Sequence, residues 1–227
     1  MLLRQEIAAL KTSAFTLSIG ATLTAGEHLL AHPLALWCKD RPQVKASVSI
    51  ADTAKLLSLL DKGEIDCALV EGIFDSNKYA WQRWSRERMV CVKGPTNLSA
   101  QNTSPKRKTL SFREILKETL IIREEGSGSR AVLEAALARH NLAPESFERV
   151  VEAKSLRVAL EMTAVGLGIT FAYEPAVKED LAQGKLIELP LDEEGLDHDI
   201  CFVWQRTSTF AKRYLQLFHE LRSYCQE

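Results

Sequence analysis

Several features that mark secreted, membrane-bound or disulfide-stabilised proteins are missing from this sequence of 227 residues. Its five cysteines are scattered and contain no Cys-x-x-Cys pair, which predicts reduced and mostly buried thiols. No apolar run reaches the length of a membrane span, and charged residues interrupt the N-terminus where a signal peptide needs an apolar core. These absences favour a cytoplasmic protein that does not contact a membrane.

An excess of positive charge is also missing. The formal net charge of −1 excludes binding of nucleic acid through a global basic field. The basic triplet Lys106–Lys108 has no interleaved aromatic residues, so it is more typical of a solvated loop than of a nucleic-acid contact.

Motifs for catalysis and for metals are absent as well. The stretch Gly126–Ser129 matches neither a G-x-S-x-G hydrolase elbow, a P-loop nor a dinucleotide fingerprint. His28 and His32 are four residues apart on a predicted helix, but no third metal ligand is near and the H-E-x-x-H pattern is not met. We therefore predict no catalytic residue, no metal site and no cofactor.

The most informative stretch begins with the apolar run Leu120–Ile122, continues through a Gly/Ser turn and ends in the helical pattern Ala131–Leu137. Ser127 or Ser129 can cap that helix, whose first backbone N–H groups carry a partial positive charge. The turn indicates either a contact for a small anionic or hydroxyl-rich ligand or a plain capped helix start.

A similar strand, turn and helix open the chain. Phe15–Gly20 alternates as a strand, a hydroxyl-bearing turn follows, and a helix is predicted from about Glu27 to Lys39. Val44–Ile50 and Cys67–Val70 are the next predicted strands, which makes this half a βαβαβ unit with a mostly parallel sheet.

The second half repeats the alternation and returns to the first. Strand patterns at Ile169–Ala172 and His198–Gln205 precede a C-terminal helix, Thr207–Cys225. One face of that helix carries four apolar residues: Phe210, Tyr214, Leu217 and Leu221. Polar crossings near Gly94 and Asp197 predict two lobes, with hinges at Val92–Pro95 and Asp197–Cys201. Ligands of such sheets lie at the carboxyl ends of strands, where we place Thr22, Thr24, Glu71, Ser127, Ser129 and Thr170.

Four segments in order resemble the effector-binding domain of LysR-type transcriptional regulators. They are Leu17–Gly26, Lys62–Gly72, Arg123–Arg130 and Val165–Ile169. The resemblance extends from about Phe15 to Tyr224, and it is closest to the regulators of cysteine biosynthesis and carbon fixation. It implies an α/β, two-lobed periplasmic-binding-protein-like (type 2) fold with a hinge and an interlobe cleft. In this scheme residues 14–94 with 200–227 form lobe I, residues 95–199 form lobe II, and residues 1–13 are the end of a linker helix.

The resemblance also implies the ligand contacts. They are Thr22, Leu23, Thr24, Ala25, Glu71, Gly72, Ser127, Gly128, Ser129, Arg130, Thr170 and Phe171. Arg130 has a second interpretation, a surface pair with Glu134 four residues further on. Because Glu71 would repel an anion, an amino-acid-like effector that carries both charges would reconcile it with an anion-binding turn.

The expected partners follow from the same resemblance. The family's DNA-binding helix-turn-helix is absent ahead of the first strand, so the chain is either truncated or has lost DNA binding. We expect a truncated regulator that contacts DNA only through the missing domain. We expect a homodimer, and a tetramer for the full-length protein, through the helix near Glu27 and the strand Val44–Ile50. An apolar row on that helix, Leu30, Leu34 and Trp37, would face the partner. The alternatives to the sensor domain of a transcriptional regulator are a free-standing solute-binding protein and a small transferase.

Overall fold

The structure, a computed structural model, describes residues 16–95, 109–191 and 196–226. The expected linker remnant 1–13 and the basic triplet lie outside these residues. The described chain forms two compact units, one up to Ser85 and again from Ile200, the other from Arg86 to Asp199.

The first unit contains the βαβαβ arrangement that the sequence predicts. Its elements are β1 (Thr16–Ala21), a π-helical segment (Ala25–Leu30), α1 (Ala31–Lys39), β2 (Lys45–Ile50), α2 (Thr53–Asp61) and β3 (Cys67–Val70). β1 is the central strand and pairs in parallel with both β2 and β3. The carboxyl ends of all three strands therefore lie at one edge of the sheet.

Two long strands connect the units along the chain, β4 (Tyr79–Lys93) and β9 (Asp197–Gln205). β9 pairs antiparallel with β3, and it is followed by α7 (Ala211–Ser223) and a 3-10 turn (Tyr224–Gln226). The change of unit falls after Ser85 rather than after Gly94. Val92 pairs with strands of the second unit, so the proposed hinge at Val92–Pro95 stays a prediction whose position differs from this boundary.

The core of the first unit lies on both faces of its sheet. All four residues of β3 are buried, as expected for a strand covered on each side. On one face Leu56 and Leu60 of α2 pack in a cluster with Val203 of β9. The Asp52 carboxylate caps α2 by accepting a 2.8 Å hydrogen bond from the Lys55 N–H, which supports the predicted helix start.

The apolar row on α1 and the segment before it has a different role from the one expected. Leu30, Leu34 and Trp37 are only 0%, 6% and 2% exposed, so they belong to the core of their own unit and cannot face a partner. The Trp37 indole N–H donates a 2.7 Å hydrogen bond to Glu220 of α7. The expectation that this row forms the dimer surface is wrong, because α7 covers it.

The second unit has a sheet with helices between its parallel strands. Its elements are α3 (Phe112–Ile115), β5 (Thr119–Arg123), α4 (Gly128–Ala138), a 3-10 turn (Pro144–Ser146), β6 (Arg149–Ala153), α5 (Leu156–Ala164), β7 (Ile169–Tyr173), α6 (Glu174–Ala182) and β8 (Ile187–Leu189). β5 pairs in parallel with β6 and β7, whereas β4 runs antiparallel to β7 and β8.

Some helix ends differ from the predicted ones. α7 begins at Ala211 instead of Thr207, and Phe210 just before it is 56% exposed. Tyr214, Leu217 and Leu221 are buried as predicted. Phe210 is the N-cap residue of the helix, and its ring contacts Tyr214 but is far more exposed than the other three side chains.

Neither a membrane-spanning helix nor a cluster of metal-ligand side chains occurs among the residues that the structure describes. Within them, no helix is long and apolar enough to cross a membrane. The same residues contain no group of three or more His, Cys, Asp or Glu side chains that could hold a metal ion. His28 and His32 are exposed on the surface.

Candidate functional site

In the first unit, three strand ends bring predicted ligand residues together. Thr22 directly follows β1, and its N–H donates a 3.0 Å hydrogen bond to the Leu69 carbonyl of β3. Glu71 follows β3, and its carbonyl accepts a 2.6 Å hydrogen bond from the Thr53 hydroxyl at the start of α2. Gly72 then turns the chain with a φ of +93°, a conformation that favours glycine. The three connections form one compact polar group, which we call the threonine half-site: Thr22, Thr24, Thr53, Glu71 and Gly72.

The threonine half-site contains a polar atom that the described residues leave unsatisfied. The Thr22 Oγ1 atom is buried and has no hydrogen-bond partner among them. Thr24 is also buried and lies at the start of the π-helical segment. A buried hydroxyl without a partner costs about 1–3 kcal/mol of stability.

The two residues that flank Thr24 were also predicted as ligand contacts, and they differ in burial. Leu23 is half-buried, and Ala25 is completely buried. π-Helical turns are uncommon and occur often at functional sites. Here such a turn begins directly after Thr24.

In the second unit, Ser127 occupies the N-cap position of α4 in an extended conformation. Its hydroxyl makes no capping hydrogen bond and lies 3.0 Å from the Ser129 hydroxyl. The first hydrogen bond of the helix runs from the Ala131 N–H to the Ser127 carbonyl. The Ser127 N–H itself donates a 3.2 Å hydrogen bond to the Glu124 carbonyl. The N–H groups of the first helical turn, Gly128–Arg130, are therefore the ones that the helix leaves for an external acceptor. We call Ser127, Gly128 and Ser129 the serine half-site.

Arg130 braces this turn. Its Nε donates a 2.7 Å hydrogen bond to Glu134, and its Nη1 donates at 3.1 Å to both the Arg123 carbonyl and Glu152 of β6. The pair with Glu134 is one of the two interpretations of the sequence, and the structure contains it. Arg130 thus ties the start of α4 to the ends of β5 and β6.

Thr170 and Phe171 lie elsewhere on β7 than the sequence suggested. Thr170 is the second residue of β7, away from its carboxyl end, and its hydroxyl donates a 2.7 Å hydrogen bond to the Ile121 carbonyl. Phe171 packs against Phe112, with ring centroids 6.2 Å apart. The placement of Thr170 at a strand end is therefore wrong, because β7 extends to Tyr173.

Thr53 and Arg123 are not among the ligand contacts predicted from the sequence, although they lie in or beside the half-sites. Thr53 has the sequence pattern of a helix cap, but it follows β2 after only two intervening residues, which places it at the same sheet edge as Thr22. Arg123 donates two 2.8 Å hydrogen bonds to Glu124 beside the serine half-site. Burial raises the pKa of the Glu124 carboxyl, but the hydrogen bonds and charge of Arg123 outweigh it, so the net pKa lies below the usual value. Glu124 is therefore a fixed negative charge at neutral pH.

Comparison with known proteins gives consistent relatives. The family model of the LysR substrate binding domain matches residues 12–226. The chain is 30% identical over 206 residues to the phosphonates import ATP-binding protein PhnC of Anaeromyxobacter dehalogenans, covering 89% of this chain and 40% of that protein. It is 24% identical over 187 residues to the HTH-type transcriptional regulator CysL of Bacillus subtilis, covering 82% and 60%. The chain thus spans only part of the length of these curated relatives.

A solved structure shares the fold. The regulatory domain of CcmR from Synechocystis PCC6803, in complex with 2-PG, superimposes with a TM-score of 0.77 at 17% sequence identity, covering 92% of this chain and 96% of that one. The match of the family model over nearly the whole chain, together with this fold, confirms the predicted class of two-lobed, type 2 periplasmic-binding-protein-like domains. The chain belongs to the LysR substrate-binding domain family.

Proposed function

We propose that this domain senses a small anionic or zwitterionic metabolite and thereby controls transcription through the DNA-binding part of a LysR-type regulator. The observation that carries the proposal is the buried Thr22 hydroxyl, which has no partner among the described residues, within a group of polar strand ends. CysL is named a transcriptional regulator, and CcmR was solved with a bound small molecule, which supports a sensing role. In this role the domain works in the cytoplasm and catalyses no reaction.

The ligand's charge follows from the groups around it. The N–H groups in the first turn of α4 attract an anion to the serine half-site, while Glu71 in the threonine half-site attracts a cation or repels an anion. We propose that the carboxylate or other anionic group of the ligand binds at Ser127–Ser129. An amino-acid-like molecule would satisfy both charges.

A thermal-shift screen tests this function. Sulfate, phosphate, central carboxylates and amino acids would each be added to the chain, and a ligand at a hundred times its dissociation constant should stabilise the fold by about 2.7 kcal/mol. The same ligand should give no shift with a variant that carries both Thr22→Val and Ser129→Ala. If no compound in a broad metabolite screen stabilises the wild-type domain, the sensing proposal fails.

Thr22→Val should separate stability from binding. Replacing the hydroxyl by a methyl group removes a buried polar atom without a described partner, so we expect the ligand-free domain to gain about 1 kcal/mol in its free energy of unfolding. Affinity for the ligand should fall at the same time. The measurements are urea denaturation without ligand and titration calorimetry with it.

Thr53→Val is the matched control for that experiment. The Thr53 hydroxyl already donates to the Glu71 carbonyl, so its loss should destabilise the ligand-free domain by about 1 kcal/mol. If both substitutions change stability in the same direction, the Thr22 hydroxyl is satisfied in the free domain and the argument from its burial is lost.

Thr24→Ala and Ser129→Ala test the threonine half-site and the serine half-site one at a time. Each substitution should cost about 0.5–1.5 kcal/mol of affinity where a neutral hydrogen bond is lost, and more for a charged ligand. A ligand that contacts a half-site should lose affinity in calorimetry with the variant of that half-site. If only one variant weakens binding, the ligand occupies a single half-site; if neither does, the site lies elsewhere.

We also propose a homodimer through the edge strand β2. This strand ends the sheet of the first unit, and its Val48 and Ile50 side chains are 47% and 48% exposed. Exposed apolar residues on an unpaired strand edge are typical of an interface. With Leu30, Leu34 and Trp37 buried, the polar outer face of α1 with His32 would form the flank of this surface.

Sedimentation at high micromolar concentration tests the dimer. Wild-type chain should sediment as a dimer, and Ile50→Lys should convert it to a monomer by placing a charge in the interface. Ile73→Lys is the control, because Ile73 is 68% exposed and lies outside β2. A monomeric wild-type chain would refute the dimer without affecting the proposed ligand.

A further inference from the structure

The first unit contains a cavity that has no residue in common with the proposed half-sites. It has a volume of about 160 Å³ and lies between the start of β1, the end of α1 and α7. Leu17, Trp37 and Leu217 form its apolar walls, and Phe210 and Tyr214 also line it. Because Phe210 is 56% exposed, its ring forms part of the rim.

The size of the cavity suits a small ring. A dry apolar cavity of about 150 Å³ is large enough to accommodate benzene, which is close to the volume found here. The aromatic rim adds a specific chemistry, since the Phe210 and Tyr214 ring centroids are 6.5 Å apart at an angle of 58°. Aromatic faces attract both rings and cations.

The charged groups that line the cavity are not equally satisfied. Arg41 forms a 3.0 Å ion pair with Glu220, which also accepts a hydrogen bond from the Trp37 indole. Arg213, the other guanidinium of the lining, already has an interaction of its own. Both cations are therefore engaged.

Asp66 is the exception. Its carboxylate accepts a 2.7 Å hydrogen bond from the Ser18 N–H and a 3.3 Å hydrogen bond from the Tyr214 hydroxyl. Both donors are neutral, and no cationic side chain within 16–95, 109–191 or 196–226 forms an ion pair with it. Asp66 is thus a carboxylate that forms no ion pair with a described residue and lies beside an aromatic rim.

We propose that this cavity binds a small organic cation, a protonated amine on a single ring or short apolar body. Its ammonium group donates to Asp66, and its apolar part packs between Leu17 and Leu217 beneath the Phe210 rim. The inference is independent of the proposed effector, because none of the half-site residues lines the cavity.

Three probes of nearly equal size and different charge test the assignment by calorimetry on the whole chain. Benzylamine is a cation at neutral pH, benzyl alcohol is neutral and benzoate is an anion. We expect benzylamine to bind at least about tenfold more tightly than the other two, which corresponds to about 1.4 kcal/mol. Absence of benzylamine binding at millimolar concentration, or tighter binding of benzoate, would overturn the proposal.

Substitutions locate the probe. Asp66→Asn keeps an acceptor for the Ser18 N–H and should weaken benzylamine binding about tenfold, whereas Glu64→Gln, an exposed neighbour outside the lining, should leave it unchanged. Phe210→Ala should also weaken binding, and because this residue is exposed, folding is retained. If binding is lost in Ser129→Ala but retained in Asp66→Asn and Phe210→Ala, benzylamine occupies the serine half-site and the cavity proposal is wrong. Should Asp66→Asn not fold, the comparison of the three probes on wild-type chain still decides the outcome.

Discussion

Phe202→Ala is expected to lower the free energy of unfolding by about 4 kcal/mol. Phe202 lies in the middle of β9, is completely buried, and its ring centroid lies 6.5 Å from that of Trp84 and 5.8 Å from that of Phe218. Truncation removes these contacts and leaves a cavity between β4 and α7, which the strands on both sides cannot fill without losing their hydrogen bonds. Urea denaturation, followed by tryptophan fluorescence and by circular dichroism, measures the change.

Phe210→Ala is the matched control for Phe202→Ala. Both residues are phenylalanines, and they lie on either side of the connection between β9 and α7, but Phe210 is 56% exposed. Its truncation should cost less than about 1 kcal/mol. Equal losses from the two variants would mean that the aromatic cluster around Phe202 does not form the core of the first unit.

Gly168→Ala is expected to destabilise the second unit by about 3 kcal/mol. A Cβ atom at this position would lie 2.1 Å from the Thr119 carbonyl oxygen and 2.9 Å from the Thr119 carbonyl carbon. These are backbone atoms of β5, so no side-chain rotation relieves the clash. β7 would have to move away from β5, which weakens the parallel ladder between Leu120 and Ile169. Denaturation and hydrogen exchange of the β5 amides measure the effect.

Gly166→Ala separates crowding from backbone strain. Gly166 has a φ of +86°, and a Cβ atom added there would have nothing within 4 Å, so alanine at this position meets conformational strain alone. That strain costs about 1–2 kcal/mol. If Gly168→Ala were no more destabilising than Gly166→Ala, the close approach of β7 to β5 would not constrain the fold.

Helix α1 shows what sequence periodicity can predict about a helix and what it cannot. The spacing of Leu30, Leu34 and Trp37 predicts an apolar helix face, and the structure contains that face. The pattern does not specify which surface covers it. α7, at the far end of the chain, provides the cover through Trp37 and Glu220, so the partner surface inferred from the same residues is wrong.

The candidate site shows a similar division. Gly, Ser and Thr residues at strand-to-helix turns predict the threonine and serine half-sites, because such turns leave backbone N–H groups and hydroxyls without helical partners. The sequence predicts a strand at Ile169–Ala172, and the placement of Thr170 at a strand end does not agree with that strand or with β7, which continues to Tyr173. Whether Arg130 contacts ligand or braces the turn depends on Glu152, which is distant in sequence and adjacent only in the sheet.

By itself, the sequence determined the alternation of strands and helices, the parallel pairing of strands within each unit and the polar turns. These features depend on local periodicity and on the backbone freedom of glycine. Only the tertiary structure decided that the apolar face of α1 is internal and that the Thr22 hydroxyl has no hydrogen-bond partner among the described residues. It also decided that Asp66 lines a cavity and forms no ion pair with a described residue. Each of these properties depends on atoms brought together from distant parts of the chain. Burial and electrostatic pairing are set by that packing, for which the order of residues along one element contains no direct signal.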